Sequence, residues 1–463
     1  MSRVEAPPRV CRVQPDVPAV HRAFDYLVPE ALAREVRVGT MVRVPLHGRR
    51  VRGWVLEHDV VDSDVEVDRL QTIVAAVSAG PPAEVVALCR WAAWRWAGPL
   101  VTFLRAASPP NLVAAHDHAE LETAVYPDAV GASSGVVADI VHALRTRSSS
   151  RHGVVEWPPG APPEALTEAL VAAEGSTIVV DPDPMRGARL LHTLRASGRD
   201  ALSYSGDGSG AERAAAWSRA RGGACVVVGG RLAIWAPVPD LTTIVVIDEG
   251  DEALEEERAP TWNARDVARE RARRTETGIV MVTPAPTVDA RYALGEPVVP
   301  ARSFVRASWP RVEAIDLRRE APGHWLLTAA LADALRRVRD GGGRSVCVLN
   351  RRGRARLLAC VACGEATRCE ACGATVVGHD EGLMCPRCDT VRPSICLQCH
   401  GSRLRAVKPG IARVRDDLAA LLPRARVTAI DAGSDSIPDS DVLVGTEAVL
   451  HRAGSALGHA AGS

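Results

Sequence analysis

Apolar residues in the first 108 positions fall into short runs separated by turn residues, a pattern typical of β-strands. The runs predicted as strands lie in FDYLVP (24–29), GTMVRVPLHGRRVRGWVLE (39–57) and QTIVAAV (71–77). The next segment, AEVVALCRWAAWRWA (83–97), has helical periodicity instead. Residues 1–108 are therefore predicted to form a small, mostly β domain closed by a helix.

Residues 109–150 lose any clear period and gather small and polar residues, which predicts a linker or a degenerate winged-helix region. Within it, VVADIVHALRTR (136–147) is the one stretch with the pattern of an amphipathic helix.

From residue 151 to about residue 300, continuous Val and Ile runs alternate with helical stretches. The predicted strands lie in STIVVDP (176–182), ACVVVGG (224–230), TTIVVIDE (242–249) and GIVMVTP (278–284). Such runs are typical of a parallel sheet covered on both faces, so we expect an α/β lobe.

The same pattern continues through residues 301–463, but a cysteine-rich block at about 356–407 interrupts it. The strands of this part are predicted in RSVCVLN (344–350), ARVTAID (425–431) and DVLVGT (441–446). The predicted fold class is therefore α/β multidomain, with a mostly β N-terminal domain and two lobes like the RecA-like lobes of helicases. The cysteine module is inserted in the second lobe.

Bulk composition excludes little. A chain of 463 residues is long enough for two to four domains, each with its own core. Lys+Arg and Asp+Glu both total 56, so no overall basic charge marks a nucleic-acid partner. No apolar run of about 18 residues predicts a membrane span, and the start MSRVEAPPRV lacks the pattern of a signal peptide. We expect a cytoplasmic protein with reduced thiols.

Eight of the 12 cysteines form four consecutive C-x-x-C pairs. Each pair places two thiolates on one turn, so four pairs supply the eight sulfurs of two tetrahedral zinc sites. The alternatives are disulfides, redox-active turns and iron in a rubredoxin-like site. The pairs are Cys360 and Cys363, Cys369 and Cys372, Cys385 and Cys388, and Cys396 and Cys399.

Chain spacing favours a nested pairing of these turns. The gap from 373 to 384 is long enough for a hairpin that brings the second and third pairs together, whereas the gap from 364 to 368 is short. The first and fourth pairs would then share the other ion. His379 and His400 lie nearby, but the thiolate count is complete without them.

Two successive α/β lobes raise the question of nucleotide hydrolysis, which normally requires the phosphate loop G-x-x-x-x-G-K-S/T. The only lysine is Lys408, in the second lobe. Where the loop belongs, the chain reads VVEWPPGAPPEAL (154–166), whose four prolines remove amide donors. Asp248 and Glu249 end a predicted buried strand, where a Walker B pair belongs, so a magnesium role for them stays open. ATP and Mg²⁺ are not expected as cofactors, and no catalytic residues are predicted.

Four stretches are specific enough to indicate a family: AFDYLVP with VRVPLHGRRVRGWV, VVVGGRLAIWAPVPDLTTIVVIDEGD, VLNRRGRARLLACVACG, and the cysteine array followed by KPGIARVRDDLAALLPRARVTAID. In these stretches the chain resembles the PriA family of replication-restart proteins, in the actinobacterial form that lacks functional helicase motifs. Asp248, Glu249, Gly250 and Asp251 stand where active motors of the family read D-E-E-H. The end, AGSALGHAAGS, suggests a truncated second lobe.

This resemblance implies a first domain that binds the 3′ end of the nascent strand at a stalled fork, with its pocket at Phe24, Asp25 and Gly48. A lysine of that pocket falls near Gln71 here. It also supports the nested pairing, with one zinc on Cys360, Cys363, Cys396 and Cys399 and the other on Cys369, Cys372, Cys385 and Cys388.

The implied function is replication restart, in which the protein binds abandoned forks, promotes primosome assembly and helps to reload the replicative helicase without unwinding DNA itself. The expected partners are forked DNA, primosome and helicase-loading proteins, and single-stranded-DNA-binding protein. The alternatives are an ATP-dependent 3′-to-5′ helicase and a degenerate, non-functional copy.

Overall fold

The structure is a computed structural model that divides into two compact units, residues 1–311 and 312–463, which are described separately. The predicted helix at 136–147 lies outside the described residues. These cover 9–114, 152–159, 163–171, 175–223, 225–316, 327–349, 358–374, 376–379, 382–385, 387–406, 411–431, 434, 438–446 and 449–450.

The first unit begins with an antiparallel five-stranded sheet, ordered β2-β1-β4-β3-β5. Its two edges approach each other, because the N–H of Leu27 in β2 donates to the carbonyl of Gln71 (2.9 Å) and the N–H of Ile73 donates to the carbonyl of Leu27 (3.0 Å). The sheet thereby closes into a small barrel. Its strands are β1 (Val10–Pro15), β2 (Phe24–Leu27), β3 (Met41–Leu46), β4 (Arg49–His58) and β5 (Ala75–Ser78).

Two helices follow the barrel, α1 (Ala83–Arg95) and α2 (Leu100–Ala107). The helical pattern predicted α1 but not α2. The second helix begins after Pro99 and buries Phe103 and Leu104, which shows that its apolar face is covered.

A six-stranded parallel sheet, ordered β6-β11-β10-β7-β9-β8, forms the next part of this unit. Neighbouring residues of β10 alternate between two cores: Ile244 and Val246 face one, and Val245 and Ile247 face the other. The predicted doubly covered sheet is therefore present. Its strands are β6 (His152–Glu156), β7 (Ser176–Val180), β8 (Ala201–Ser203), β9 (Val226–Gly229), β10 (Leu241–Ile247) and β11 (Gly278–Thr283).

Helices cover this sheet, and short 3-10 helices at Arg231–Trp235 and Glu252–Leu254 flank β10. The sequence patterns did not predict β6 or β8. The helices are α3 (Pro163–Val171), α4 (Pro184–Ala196), α5 (Gly210–Arg221), α6 (Ala264–Thr275), α7 (Val288–Leu294) and α8 (Arg302–Ser308).

The barrel helices and the parallel sheet share one hydrophobic core, while the barrel strands enclose a second core of their own. The ring of Phe103 lies 6.0 Å from that of Trp235, which in turn lies 5.4 Å from Trp262. Trp217 of α5 donates its indole N–H to the carbonyl of Ala107 (2.9 Å). Large aromatic rings favour a shared core, because the barrel helices or the parallel sheet alone could not cover all of their apolar surface.

The second unit contains a three-stranded parallel sheet, ordered β12-β19-β18, whose core includes Leu335 and Leu418. The cysteine module lies in the chain between β12 and α10, so it is inserted in this α/β fold as predicted. The elements are α9 (Ala329–Asp340), β12 (Ser345–Val348), β13 (Leu358–Cys360), β14 (Val377–His379), β15 (Gly382–Met384), β16 (Val391–Arg392), β17 (Leu404–Ala406), α10 (Ile411–Leu421), β18 (Val427–Ile430) and β19 (Val442–Gly445).

The predicted α/β multidomain class is confirmed by a mostly β N-terminal part, two parallel α/β sheets and an inserted eight-cysteine module. In the part of the chain that the structure describes, no helix combines the length and apolar character needed to cross a bilayer.

Candidate functional site

The predicted 3′-end residue Asp25 lies on β2, directly opposite Arg12 of β1. Arg12 donates from Nε to Oδ1 of Asp25 (2.9 Å) and from Nη2 to Oδ2 (3.3 Å). The Asp25 hydrogen bond raises the pKa of the Arg12 guanidinium. Arg12 also contacts Glu57 (2.8 Å) and Asp62 (3.3 Å). The carboxylate of Asp25 is therefore fixed in place by a bidentate ion pair.

Phe24 precedes Asp25 and is half-buried against the barrel core. The guanidinium of Arg22 lies 4.7 Å from its ring centroid, a cation–π contact. Tyr26 is instead a core residue, 3% exposed, whose hydroxyl donates to the carbonyl of Pro45 (3.0 Å). Tyr26 therefore belongs to the barrel core.

Gly48 lies in the two-residue turn between β3 and β4. His47 and Gly48 have φ of 46° and 73°, the left-handed pair of a tight hairpin turn, which glycine favours. A Cβ at Gly48 would meet no atom within 4 Å. Its backbone therefore faces open space.

Arginines surround this turn, and the sequence patterns did not single them out. Arg49 pairs with Leu46, Arg50 with Pro45, and Arg52 with Arg43 in the hairpin ladder. All four arginines are exposed, and none of the described residues forms an ion pair with Arg43, Arg49 or Arg50. The run HGRRVRG was the signal that could have marked this basic hairpin.

Gln71 stands near the position of the family's pocket lysine. It lies beside β2, because its carbonyl accepts a hydrogen bond from the N–H of Leu27. Its side chain is exposed. The barrel closure thus places Gln71 alongside the strand that carries Phe24 and Asp25, but it supplies no cation there.

The eight clustered cysteines form two groups, and within each group the Sγ atoms all lie within 4.8 Å of one another. A disulfide needs an S–S distance of about 2.05 Å, whereas the Sγ atoms in hydrogen-bonding contact, two pairs in each group, are 3.4–3.6 Å apart. Four sulfurs about 2.3 Å from one tetrahedral ion lie about 3.8 Å from each other. The first group is Cys360, Cys363, Cys396 and Cys399; the second is Cys369, Cys372, Cys385 and Cys388.

All four C-x-x-C turns have the same backbone form. The residue after each second cysteine has a positive φ, and its N–H donates to the carbonyl of the first cysteine at 2.8–3.0 Å. This conformation directs both thiols of a turn to one side, as the spacing predicted. The four residues are Gly364, Gly373, Asp389 and His400.

Polar groups favour the thiolate form that binds metal at some of these thiols, whereas the pKa values of Cys363 and Cys372 are raised among the neighbouring thiols. A backbone hydrogen bond from Cys363 lowers the pKa of Cys360 to about 7. The Thr390 hydroxyl, 3.2 Å from Sγ of Cys388, lowers the pKa of Cys388 to about 6. Four thiolates at these separations fit zinc, and neither His379 nor His400 belongs to either group.

Asp248, the predicted Walker B aspartate, has φ 47° at the end of β10 and accepts a hydrogen bond from Arg186 Nη1 at 2.7 Å. Arg186 also donates from Nε and Nη2 to the carboxylate of Asp181 at 2.7–3.1 Å. Asp183 caps α4 and so places Arg186 in its first turn. A guanidinium therefore lies between the carboxylates that follow β7 and β10.

Glu249 is fully buried and bonded to protein groups. Its carboxylate accepts the N–H of Thr287 (2.7 Å) and the hydroxyl of Thr287 (2.9 Å). Arg265 lies 3.3 Å away. Glu249 thus anchors the start of α7, a structural role.

Comparison with known proteins agrees with this geometry. Residues 12–109 match the family model of a 3′DNA-binding domain (3′BD) of PriA, a segment that contains the barrel and both helices. A solved structure of S. cerevisiae Dbp5 L327V bound to RNA and ADP BeF3 aligns with a TM-score of 0.32 at 10% identity, over 64% of this chain and 66% of that chain. That likeness is too low to support a conclusion.

Curated relatives cover most of the chain. The probable replication restart protein PriA of Mycobacterium tuberculosis (strain H37Rv) is 30% identical over 92% of this chain and 68% of its own length. That of Mycobacterium leprae is 32% identical over 87% and 66%, and replication restart protein PriA of Treponema pallidum is 26% identical over 90% and 66%. The chain spans about two thirds of the length of these relatives, and it belongs to the PriA family of replication restart proteins.

Proposed function

We propose that this protein acts in replication restart, and that it recognises an abandoned fork by holding the 3′ end of a DNA strand on its N-terminal barrel. The observation that carries the proposal is the match of residues 12–109 to a 3′DNA-binding domain, together with the fixed carboxylate of Asp25 within that segment. A carboxylate has about four lone-pair positions, and Arg12 uses two of them. The others can accept the proton of a terminal 3′-hydroxyl.

The basic hairpin supplies the second part of the interaction. Arg43, Arg49 and Arg50 are exposed and belong to the hairpin that turns at Gly48. Exposed arginines without acidic partners bind backbone phosphates, and they do so without reading sequence. The ring of Phe24 gives a terminal base a surface on which to stack. The barrel would therefore bind any sequence that ends in a free hydroxyl.

We propose that binding occurs without DNA unwinding. A motor needs a phosphate loop and acidic residues free to hold Mg²⁺. Here Pro158 and Pro159 follow β6, and Arg186 and Thr287 bind the carboxylates of Asp248 and Glu249. The positive charge that a metal ion would bring is supplied by Arg186 itself.

We further propose that two zinc ions hold the cysteine module and that the module contacts primosome and helicase-loading proteins. Val361 and Leu397, inside two turns of the first cysteine group, are 47% and 50% exposed, and Ile395 is 41% exposed. Apolar side chains held outward on a metal-fixed turn are suited to a protein partner.

The direct test compares a synthetic fork that has a free 3′-hydroxyl at the junction with the same fork blocked by a 3′-phosphate. The wild-type protein should bind the free end more tightly. Asp25→Ala should abolish the preference, whereas Asp62→Ala should retain it, because Asp62 contacts the same Arg12 but is 78% exposed. Equal binding of both forks by the wild-type protein would rule out recognition of the hydroxyl.

A second experiment tests the absence of a motor. ATP with Mg²⁺ should neither raise the melting temperature nor be hydrolysed in the presence of forked DNA. Nucleotide-dependent strand separation would contradict this part of the proposal and favour a helicase.

A further inference from the structure

A cavity of about 370 Å³ lies between the β1–β2 connection and the helical turn that joins α1 to α2. Val20 and His21 line one side, and Ala93 and Leu100 line the other. Its volume is within the range of about 300–1,000 Å³ that is usual for small-ligand sites. Phe24, Asp25 and Gly48 do not line it, so it is distinct from the predicted 3′-end pocket.

Gln14 contributes a polar group to this cavity. Its side chain is 2% exposed, and its amide nitrogen donates to the carbonyls of Val20 (2.9 Å) and Pro15 (3.3 Å). Its Oε1 accepts no hydrogen bond from any described residue. This oxygen is not among the fully buried atoms that lack a partner, so solvent reaches it, and a ligand with an N–H group can donate to it.

We propose that this cavity takes one unpaired nucleobase of the bound DNA, next to the strand end held at Asp25. The lining combines aliphatic side chains with the polar groups of Gln14 and His21. Such a mixed lining matches a flat heteroaromatic ring that carries an N–H, and each of the four bases offers such a donor. Exposed arginines adjoin the lining in sequence: Arg22 follows His21, and Arg95 follows Ala93 by two residues. They can bind the flanking phosphates.

Arg22 also connects the two sites, since its guanidinium lies over the ring of Phe24. A strand that enters the cavity would therefore pass the cation–π pair on its way to Asp25. The inference rests on the proposed function, because the occupant is part of the same DNA.

The test uses forks in which 2-aminopurine replaces one nucleotide at a time among those nearest the 3′ end. The wild-type protein should change the fluorescence strongly at a single position. Ala93→Phe fills the cavity and should remove that change and weaken fork binding about 10-fold, the loss of one stacked base. Ala83→Phe, at an exposed position of the same helix, should leave both unchanged.

Val20→Phe fills the cavity from the opposite wall and decides the question if Ala93→Phe fails to fold. If the folded variants show the same fluorescence change and the same fork affinity as the wild-type protein, the inference is overturned and only water occupies the cavity. That outcome does not affect the preference for a 3′-hydroxyl. Absence of any fork binding by the wild-type protein would instead refute the proposed function, and the base site with it.

Discussion

Replacing Cys385 and Cys388 by serine removes two of the four sulfurs of the second cysteine group. We expect the loss of one of two zinc ions and unfolding of the hairpin that β14 and β15 form. The amide of Cys385 donates to the carbonyl of Thr390 (2.9 Å), and this turn has no reason to persist without the ion. The first group keeps its four thiolates and its metal.

The magnitude follows from the small size of the local core. Around the second group, Val376 and Leu383 are the fully buried aliphatic side chains among the described residues. Burying two such side chains stabilises by about 3–6 kcal/mol. A structural zinc ion contributes about 10–16 kcal/mol. Ordering each residue costs about 1–2 kcal/mol, so the metal supplies most of the free energy that keeps this hairpin folded.

The assay combines metal analysis with amide hydrogen exchange. The double variant should hold one zinc per chain, and the amides of residues 382–392 should exchange rapidly, while residues 9–114 keep their protection. Cys347→Ser is the matched control, because Cys347 is a free, half-buried cysteine of β12 outside both groups. Two zinc ions per chain in the double variant, or unchanged protection of the hairpin, would refute the reasoning.

Three further predictions follow from the contacts. Trp235→Ala should lower the free energy of unfolding by about 3–5 kcal/mol and lower the urea midpoints of the barrel and the parallel sheet together, since both pack on this ring. The control Tyr292→Ala, at a side chain that is 93% exposed, should lower it by less than about 0.5 kcal/mol. Separate barrel and sheet transitions would contradict a shared core. Arg186→Met should cost about 3–5 kcal/mol, because it leaves Asp181 buried without its cation. Burial raises the pKa of Asp181, so the folded variant binds a proton more readily than the unfolded chain. Thermal melts should therefore show the stability of the variant rising as the pH falls from 7 to 5. A variant as stable as the wild type would contradict this prediction. Replacing Arg49 and Arg50 by alanine should weaken fork binding without changing the hydroxyl preference and should reduce the slope of log K against log salt by about 1.5; an unchanged slope would exclude phosphate contacts.

Local patterns were sufficient for several features. The C-x-x-C spacing predicted two four-cysteine groups, because a tight turn brings two thiols together wherever it occurs, and the structure shows two such groups. The Val and Ile runs predicted the parallel strands, because burial on both faces needs continuous apolar sequence. Strands β6 and β8 were missed: β8 is three residues long, and β6 begins at a histidine and ends at a glutamate.

Contacts between distant residues were decided by the tertiary structure. No local pattern indicates that Arg12 holds Asp25, that Arg186 lies between Asp181 and Asp248, or that Trp235 packs on Phe103. Such contacts depend on strand register and helix placement, which set side-chain neighbours across gaps of many residues. Local sequence was enough to establish which turns can hold metal and which segments form strands, because these depend on neighbours in the chain. Only the folded chain decided which charges meet and which cores merge, because those free energies depend on distance and burial in space.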